Sequence, residues 1–260
     1  MLLGAGALGE LMLLSPGDPD PVMVHNAGAT GGFLLTADHG GRAIPQALGS
    51  LGLRQEEINR HIGWDIGIWG VTQRLALALD AVAISQLYSR LVIDCNRNPA
   101  WPGSVPEISE NTAIPGNIGA TREGRVAEIF APYHARIEAE IEARRPVAVI
   151  AMHSMTDVFK GVTRPWQASV LFNKHSAFSL ALAGQLRAEG IVVGENQPYV
   201  VTDDTDYSVP VHVERRGLPY LELEIRQDLI ADAAGQDRWA GLLARAIPPA
   251  FQALADQTAR

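Results

Sequence analysis

The stretch Phe33-Leu34-Leu35-Thr36-Ala37-Asp38-His39-Gly40-Gly41-Arg42 decides the fold. A short apolar run ends abruptly in Asp-His, and a Gly-Gly turn follows. An apolar run of this length, bounded by turn residues, reads as a buried strand. The two glycines let the backbone turn sharply and leave room for a ligand to approach. His39 then sits just past the strand's C-terminal end, where open α/β sheets place their ligands. A second β-branched run, Val147-Ala148-Val149-Ile150-Ala151-Met152-His153-Ser154-Met155, delivers another histidine to its end. Two strand-end histidines suggest one metal site.

Outward from these runs, strands and helices alternate. Val22 to Asn26 reads as a short edge strand, Ala81 to Leu87 and Leu91 to Asp94 as strand-like, and Ala168 to Phe172 and Leu218 to Arg226 as further strands. Ile68, Val71, Leu75 and Leu79 recur at helical spacing, as do Val126, Ile129, Phe130, Tyr133, Ile137 and Ile141 in a long helix over 122–144. Helices are also expected over 176–189 and from 228 to the end. Trp101 to Ile118, rich in Pro, Gly, Ser and Asn, is a long irregular loop of the kind that is functional or mobile. The alternation predicts an α/β fold with a mixed, mainly parallel sheet flanked by helices. Residues 22–260 read as one domain. Residues 1–21 read as a loosely attached N-terminal extension broken by Ser15-Pro16-Gly17. Gly4-Ala5-Gly6-Ala7-Leu8-Gly9 mimics a dinucleotide fingerprint but has no strand before it.

The 260-residue chain carries a formal net charge of -8 and no lysine/arginine block, so nucleic acid and an anionic membrane are poor partners. Its start is too short to span a bilayer and lacks a basic leader. The one cysteine, Cys95, excludes an intrachain disulfide and cysteine-rich zinc modules, and suits a reducing cytoplasm. A metal must therefore use histidine and carboxylate.

A hydrolytic metal site needs about three protein ligands and one open position. His39 and His153 supply two. Asp65 in His61-Ile62-Gly63-Trp64-Asp65-Ile66-Gly67 competes with His61 for the third, although a carboxylate at a helix start also serves as a cap. The Asp38-His39 pair offers a further carboxylate near the site, although adjacent side chains on a strand point to opposite faces. His25, His134 and His175 fall on polar or helical stretches and are expected to be exposed. Glu222 and Glu224, two apart on a strand, share one face, and either could be a general base unless Arg226 offsets them. Arg90, Asn96 and Arg97 suit capture of a substrate carboxylate, or pair with Asp94 or another acid. Cys95 lacks a marked histidine partner, and no Gly-x-Ser-x-Gly elbow is present.

These pieces together resemble the N-formylglutamate amidohydrolase family. Ala37-Asp38-His39-Gly40-Gly41-Arg42, His61 to Gly67, Tyr88 to Arg97, Ala151-Met152-His153-Ser154 and Leu223 to Leu229 run in the family's order across roughly residues 33 to 230. The resemblance implies a zinc carboxypeptidase-like (phosphorylase/hydrolase-like) architecture with one Zn2+ at the strand ends. It implies His39 and His153 as ligands with a carboxylate between them. Zinc carboxypeptidases carry that carboxylate three residues after the first histidine, where this chain has Arg42, so Asp65 is the substitute. It favours Glu224 over Glu222 as base. The implied reaction is hydrolysis of a small anionic N-acyl amino acid, N-formyl-L-glutamate to formate and L-glutamate, in cytoplasmic histidine degradation. A related amidase or carboxypeptidase, or a non-catalytic dicarboxylate-binding relative, are the competing expectations.

Overall fold

The computed structural model describes residues 12–258. The glycine-rich run over 4–9 lies outside the described residues. A seven-stranded sheet runs in the order β1-β3-β2-β6-β11-β9-β10. Its members are β1 (Val22–His25), β2 (Phe33–Ala37), β3 (Val82–Gln86), β6 (Ala148–Met155), β9 (Ala168–Leu171), β10 (Val193–Glu195) and β11 (Tyr220–Arg226). Two small hairpins, β4–β5 (Ile108–Ser109, Thr112–Ala113) and β7–β8 (Val158–Phe159, Val162–Thr163), stand outside it. The central strands β3, β2, β6 and β11 are mutually parallel, while β1 and β9 join antiparallel. This is the mixed, mainly parallel α/β sheet that the alternation predicts.

Period-two alternation assigns each strand residue to a layer. Leu35, Ile150, Leu223 and Ile225 face a core shared with α2 (Ile68–Ala78), α5 (Ala177–Ala188) and α6 (Ala233–Thr258). Leu34, Val149, Ala151 and Tyr220 face the other core, under Tyr133, Ile137 and Ile141 of α4 (Ala131–Arg144). Large side chains fully buried this way contribute roughly 1.5–3 kcal/mol each. The helix expected over 122–144 is α3 (Glu123–Arg125), a π-helical turn (Val126–Phe130) and α4 in sequence. The short α1 (Gln55–Ile58) lies in the polar run before His61.

The connection from β2 to β3 passes through α2 on one face, and that from β3 to β6 through α4 on the other. The crevice between β2 and β6 is therefore where the chain's winding reverses, and strand carboxyl ends open into it. His39 follows β2, and His153 lies near the end of β6.

Three expectations change here. Leu91 to Asp94 is not a strand. Its apolar side chains are buried in the α4-side core, but Val92 N donates to Ser89 O and Asp94 N to Ser104 O. The run is thus a buried loop, because apolarity fixes burial and leaves the bonding partner open. The Trp101–Ile118 segment is less irregular than expected, folding into short 3-10 turns around the β4–β5 hairpin. The described part of the N-terminal extension is docked. Leu13 N and Leu14 N donate to the Glu128 carboxylate (2.7 and 2.8 Å), and Tyr88 Oη donates to Pro19 O (2.6 Å).

Candidate active site

The β2 end is held tightly against its neighbours. Neither Gly40 nor Gly41 has a positive φ, and a Cβ at Gly41 would overlap the Leu87 carbonyl while one at Gly40 would overlap Ser85 Oγ. The glycines therefore serve the close approach of β3 and the chain beyond it, and not the ligand. Arg42 is exposed and stacks on Trp64, with Cζ 4.7 Å from the ring centroid. Asp65 reaches the site because Gly67, at φ +79°, turns the chain sharply before α2. Its N–H donates to His39 O at 2.9 Å. Its carboxylate caps no helix. It turns inward instead.

Each histidine has a carboxylate beside its Nε2. His39 Nε2 donates to Asp94 Oδ1 at 2.7 Å, and His153 Nε2 lies 3.4 Å from Asp38 Oδ2. Both direct Nδ1 at Asp65 Oδ2, at 3.5 Å from His39 and 3.0 Å from His153. For His39, the carboxylate behind Nε2 fixes the tautomer that leaves the Nδ1 lone pair facing inward. Donor atoms of His39, Asp65 and His153 all lie within 4.8 Å of one another, and all three residues are buried. His39 Nδ1 is buried with no hydrogen-bond partner. Two nitrogens and one oxygen at this spacing are a donor set that could hold a metal ion. The charges agree, since Asp38, Asp65 and Asp94 are all buried here with Arg90 the adjoining guanidinium. Burial raises the carboxyl of Asp65, but His39 and His153 outweigh it and hold it well below the usual range. Burial likewise works against Asp94, and Arg90 and His39 outweigh it. Three buried carboxylates around two histidines suit a cation held between His39, Asp65 and His153 when the imidazoles are neutral. His61 is not in this group. It pairs with Glu110 at 3.2 Å further out in the cleft.

Parallel pairing sets Glu224 opposite His153 and Glu222 opposite Ala151, so both glutamates share the face of His153. Burial pushes Glu222 up to about 8 and Glu224 up to about 7. Glu224 Oε2 has no hydrogen-bond partner. Arg226 does not offset them: it pairs with Asp228 at 2.8 Å and donates to Arg164 O. The glutamates and the histidine–aspartate group line one cleft of about 430 Å³.

Arg90, Asn96 and Arg97 also border this cleft. Arg90 donates to Asp94 Oδ2 at 2.5 Å. Arg97 Nη1 donates to Asp206 Oδ1 at 2.6 Å, leaving Nε and Nη2 without a protein partner among the described residues. The Asn96 side-chain oxygen is engaged by the N–H groups of Tyr207 (3.2 Å) and Ser208 (3.1 Å). Asn96 thus shapes the cleft wall.

Two assignments from sequence are corrected behind the site. Exposure was expected for His25, His134 and His175, and His175 alone is exposed, while His25 is half-buried. His134 is buried because its ring packs on Phe130, Tyr133 and Tyr207 and stacks on His212. Its Nε2 donates to Cys95 O and its Nδ1 accepts from His212 Nε2, both at 2.9 Å. Cys95 is fully buried, and burial pushes its thiol well above the ordinary value, so it is no nucleophile. The sequence does not mark the contacts of Tyr133 and Ser208 with Asp38, whose Oδ1 accepts from both hydroxyls at 2.8 and 2.7 Å. So did Asp206. No spacing signal marks residues that meet only through folding.

Residues 31–231 match the family model for N-formylglutamate amidohydrolase. The chain superposes on a gene product of Agrobacterium tumefaciens of solved structure, with 32% identity, TM-score 0.89, and coverage of 94% of this chain and 99% of that one. It also superposes on the N-formylglutamate amidohydrolase of Ralstonia eutropha, at 16% identity and TM-score 0.64, covering 92% of this chain and 100% of that one. The second likeness speaks for the fold. No curated protein matches significantly. With a family model spanning most of its length and the site built from the residues above, the chain belongs to the N-formylglutamate amidohydrolase family of amide hydrolases.

Proposed function

We propose that the protein is a zinc-dependent hydrolase of small N-acyl amino acids, with N-formyl-L-glutamate the substrate that family membership points to. The observation that carries this is the pair of inward-facing histidine Nδ1 atoms around Asp65 Oδ2, with Glu224 across the strand pair from His153. His39, Asp65 and His153 would hold the metal. Zinc bound there supplies Lewis acidity, polarising the amide carbonyl and acidifying water.

The chain's own residues do the rest. Asp94 and Asp38 hold the two imidazoles in the ligating tautomer. Glu224 takes the attacking water's proton at Oε2 and hands it to the departing amine nitrogen. Its carboxyl, pushed up to about 7 by burial, accepts and releases a proton near neutral pH. Arg97 offers Nε and Nη2 to the substrate carboxylate, braced from behind by Asp206. Arg90 fixes Asp94 and lines the cleft beside the reacting atoms. The products are formate and L-glutamate, which fits a cytoplasmic enzyme of histidine degradation. Among the described residues no helix is long and apolar enough to cross a membrane.

The test is a panel of N-formyl-Glu, N-formyl-Asp, N-acetyl-Glu and a dipeptide, each with and without zinc. Zinc-dependent release of formate and glutamate is expected. Protein that binds no zinc, and gains no activity when zinc is added, would sink the proposal and leave the non-catalytic binding relative as the better reading.

A further inference from the structure

Tyr199 lines the cleft from the loop after β10, and its hydroxyl has no part in the chemistry described so far. The residue is 41% exposed, but the hydroxyl is its buried end. Burial, and then the charge of Glu224, raise the phenol above its ordinary value, against the opposing charges of Arg164 and Arg90. The O–H therefore lies in the field of both Glu224 and Arg90, and it stays protonated at neutral pH.

Arg164 leaves the phenol proton free. It is buried, and among the described residues it forms no ion pair. A buried guanidinium is costly unless its donors and its charge are used. Its Cζ lies 4.8 Å from the Tyr199 ring centroid and 5.1 Å from that of Phe159. Its Nη2 donates to Tyr199 Oη at 2.8 Å. A guanidinium only donates, so the phenol oxygen is the acceptor of this bond and its own proton remains. Among the described residues nothing accepts that proton. Glu224 Oε2 does not, since it has no hydrogen-bond partner. A charged donor on the phenol oxygen also strengthens the phenol as a donor, because linked hydrogen bonds polarise one another.

Both partners are anchored. Asn196 N donates to Val170 O at 3.0 Å, and Asn196 Oδ1 accepts from Phe172 N at 2.9 Å, which pins the start of the Tyr199 loop to the β9 segment. Arg164 N donates to Asp157 O at 2.8 Å, and Arg164 O accepts from Arg226 Nη1 at 3.2 Å. A donor held in place this way needs no reorganisation as a reaction proceeds.

Amide hydrolysis has a use for such a donor. When the water oxygen bonds to the carbonyl carbon and Glu224 takes the water's proton, the C=O electron pair moves onto the carbonyl oxygen, which becomes an oxyanion. We propose that Tyr199 is a catalytic residue whose hydroxyl donates a hydrogen bond to this oxygen as its negative charge develops. The proposal rests on the amide-hydrolase reading above.

The experiment has a kinetic arm and a binding arm, both on the full chain with zinc supplied. Removing one oxyanion donor costs about 10²–10³ in kcat. Formate release from N-formyl-L-glutamate by Tyr199→Phe should show that loss in kcat, with KM changed less than threefold. The binding arm needs no turnover. One probe is the phosphinate in which H–PO2⁻–CH2 replaces the formyl amide H–CO–NH of N-formyl-L-glutamate, so that a tetrahedral anionic centre stands for the hydrated formyl group. The other is α-methylglutarate, the same skeleton without the phosphinate. By calorimetry Tyr199→Phe should weaken the phosphinate at least tenfold and leave α-methylglutarate within twofold, which also shows that the variant's cleft is intact. Equal weakening of both probes, or of neither, overturns the role of Tyr199, and so does a full kcat in Tyr199→Phe from an active wild type. A wild type that releases no formate sinks the hydrolase reading, whatever the probes show. Formate release with an unchanged phosphinate affinity sinks the Tyr199 role alone.

Discussion

His39 and His153 are oriented by different parts of the chain to the same end. Asp94 comes from the buried loop after β3, and Asp38 from the turn after β2. Each carboxylate is worth measuring separately from the base. Glu224→Gln keeps the volume and the strand but removes the proton acceptor. Its turnover should fall by about 10²–10⁴ while zinc stoichiometry is unchanged. Asp94→Asn should do the reverse, weakening zinc about 10–100-fold in a chelator competition while leaving Glu224 in place. A Glu224→Gln protein that keeps more than a tenth of wild-type turnover would remove Glu224 from the chemistry. The same reasoning explains why Arg42 could not have been the guide: it lies on Trp64 at the surface, and the carboxylate arrives from another element.

At the scale of elements, the turn after β2 has no room for a side chain at Gly40 or Gly41. Gly41→Ala would drive a methyl group into the Leu87 carbonyl. Overpacking of this kind costs roughly 1–3 kcal/mol. A thermal scan should show Tm lowered by several degrees, and an unchanged Tm would mean that the strands separate freely there. The contact between α4 and the π-helical turn Val209–Val213 predicts a pH effect. Burial lowers His134 to about 3 and His212 to about 4, and both are neutral at pH 7. In the unfolded chain each titrates near pH 6.5. Between pH 6.5 and 4 the unfolded state binds more protons, so the stability contributed by each neutral ring falls as pH drops through that window. The slope is about 1.4 kcal/mol per pH unit for each ring. Urea midpoints of the wild type and of His212→Gln, compared from pH 7 to 4, should converge as the pH falls. A constant gap would show that the rings are not buried as neutral groups.

For the whole molecule, the proposed ligands come from three places: the end of β2, the loop before α2, and β6. A metal bound among them ties both sides of the crevice together and binds the folded state alone. Free zinc at 100 times its dissociation constant should therefore add about 2.7 kcal/mol of stability. The accompanying rise in Tm should vanish in His39→Ala. If His39→Ala gains as much from zinc as the wild type, zinc binds elsewhere.

The sequence determined the layers, the strands of the main sheet and most of the candidate site's membership. Apolar periodicity marks β2, β6, β11, α2 and α4, because burial of one face leaves its period in the chain. It also marks His39, His153, Glu222 and Glu224, because strand ends and strand faces can be read locally. It did not reveal that Leu91 to Asp94 is a loop, since backbone pairing depends on what lies alongside. Nor did it show that His134 is buried, as the rings covering it come from Phe130, Tyr133, Tyr207 and His212. Only the tertiary structure favoured Asp65 over His61, and gave Asp94 to His39 and Asp206 to Arg97. Those pairings span distant segments, and no local rule of spacing or propensity constrains which distant side chains will share a pocket.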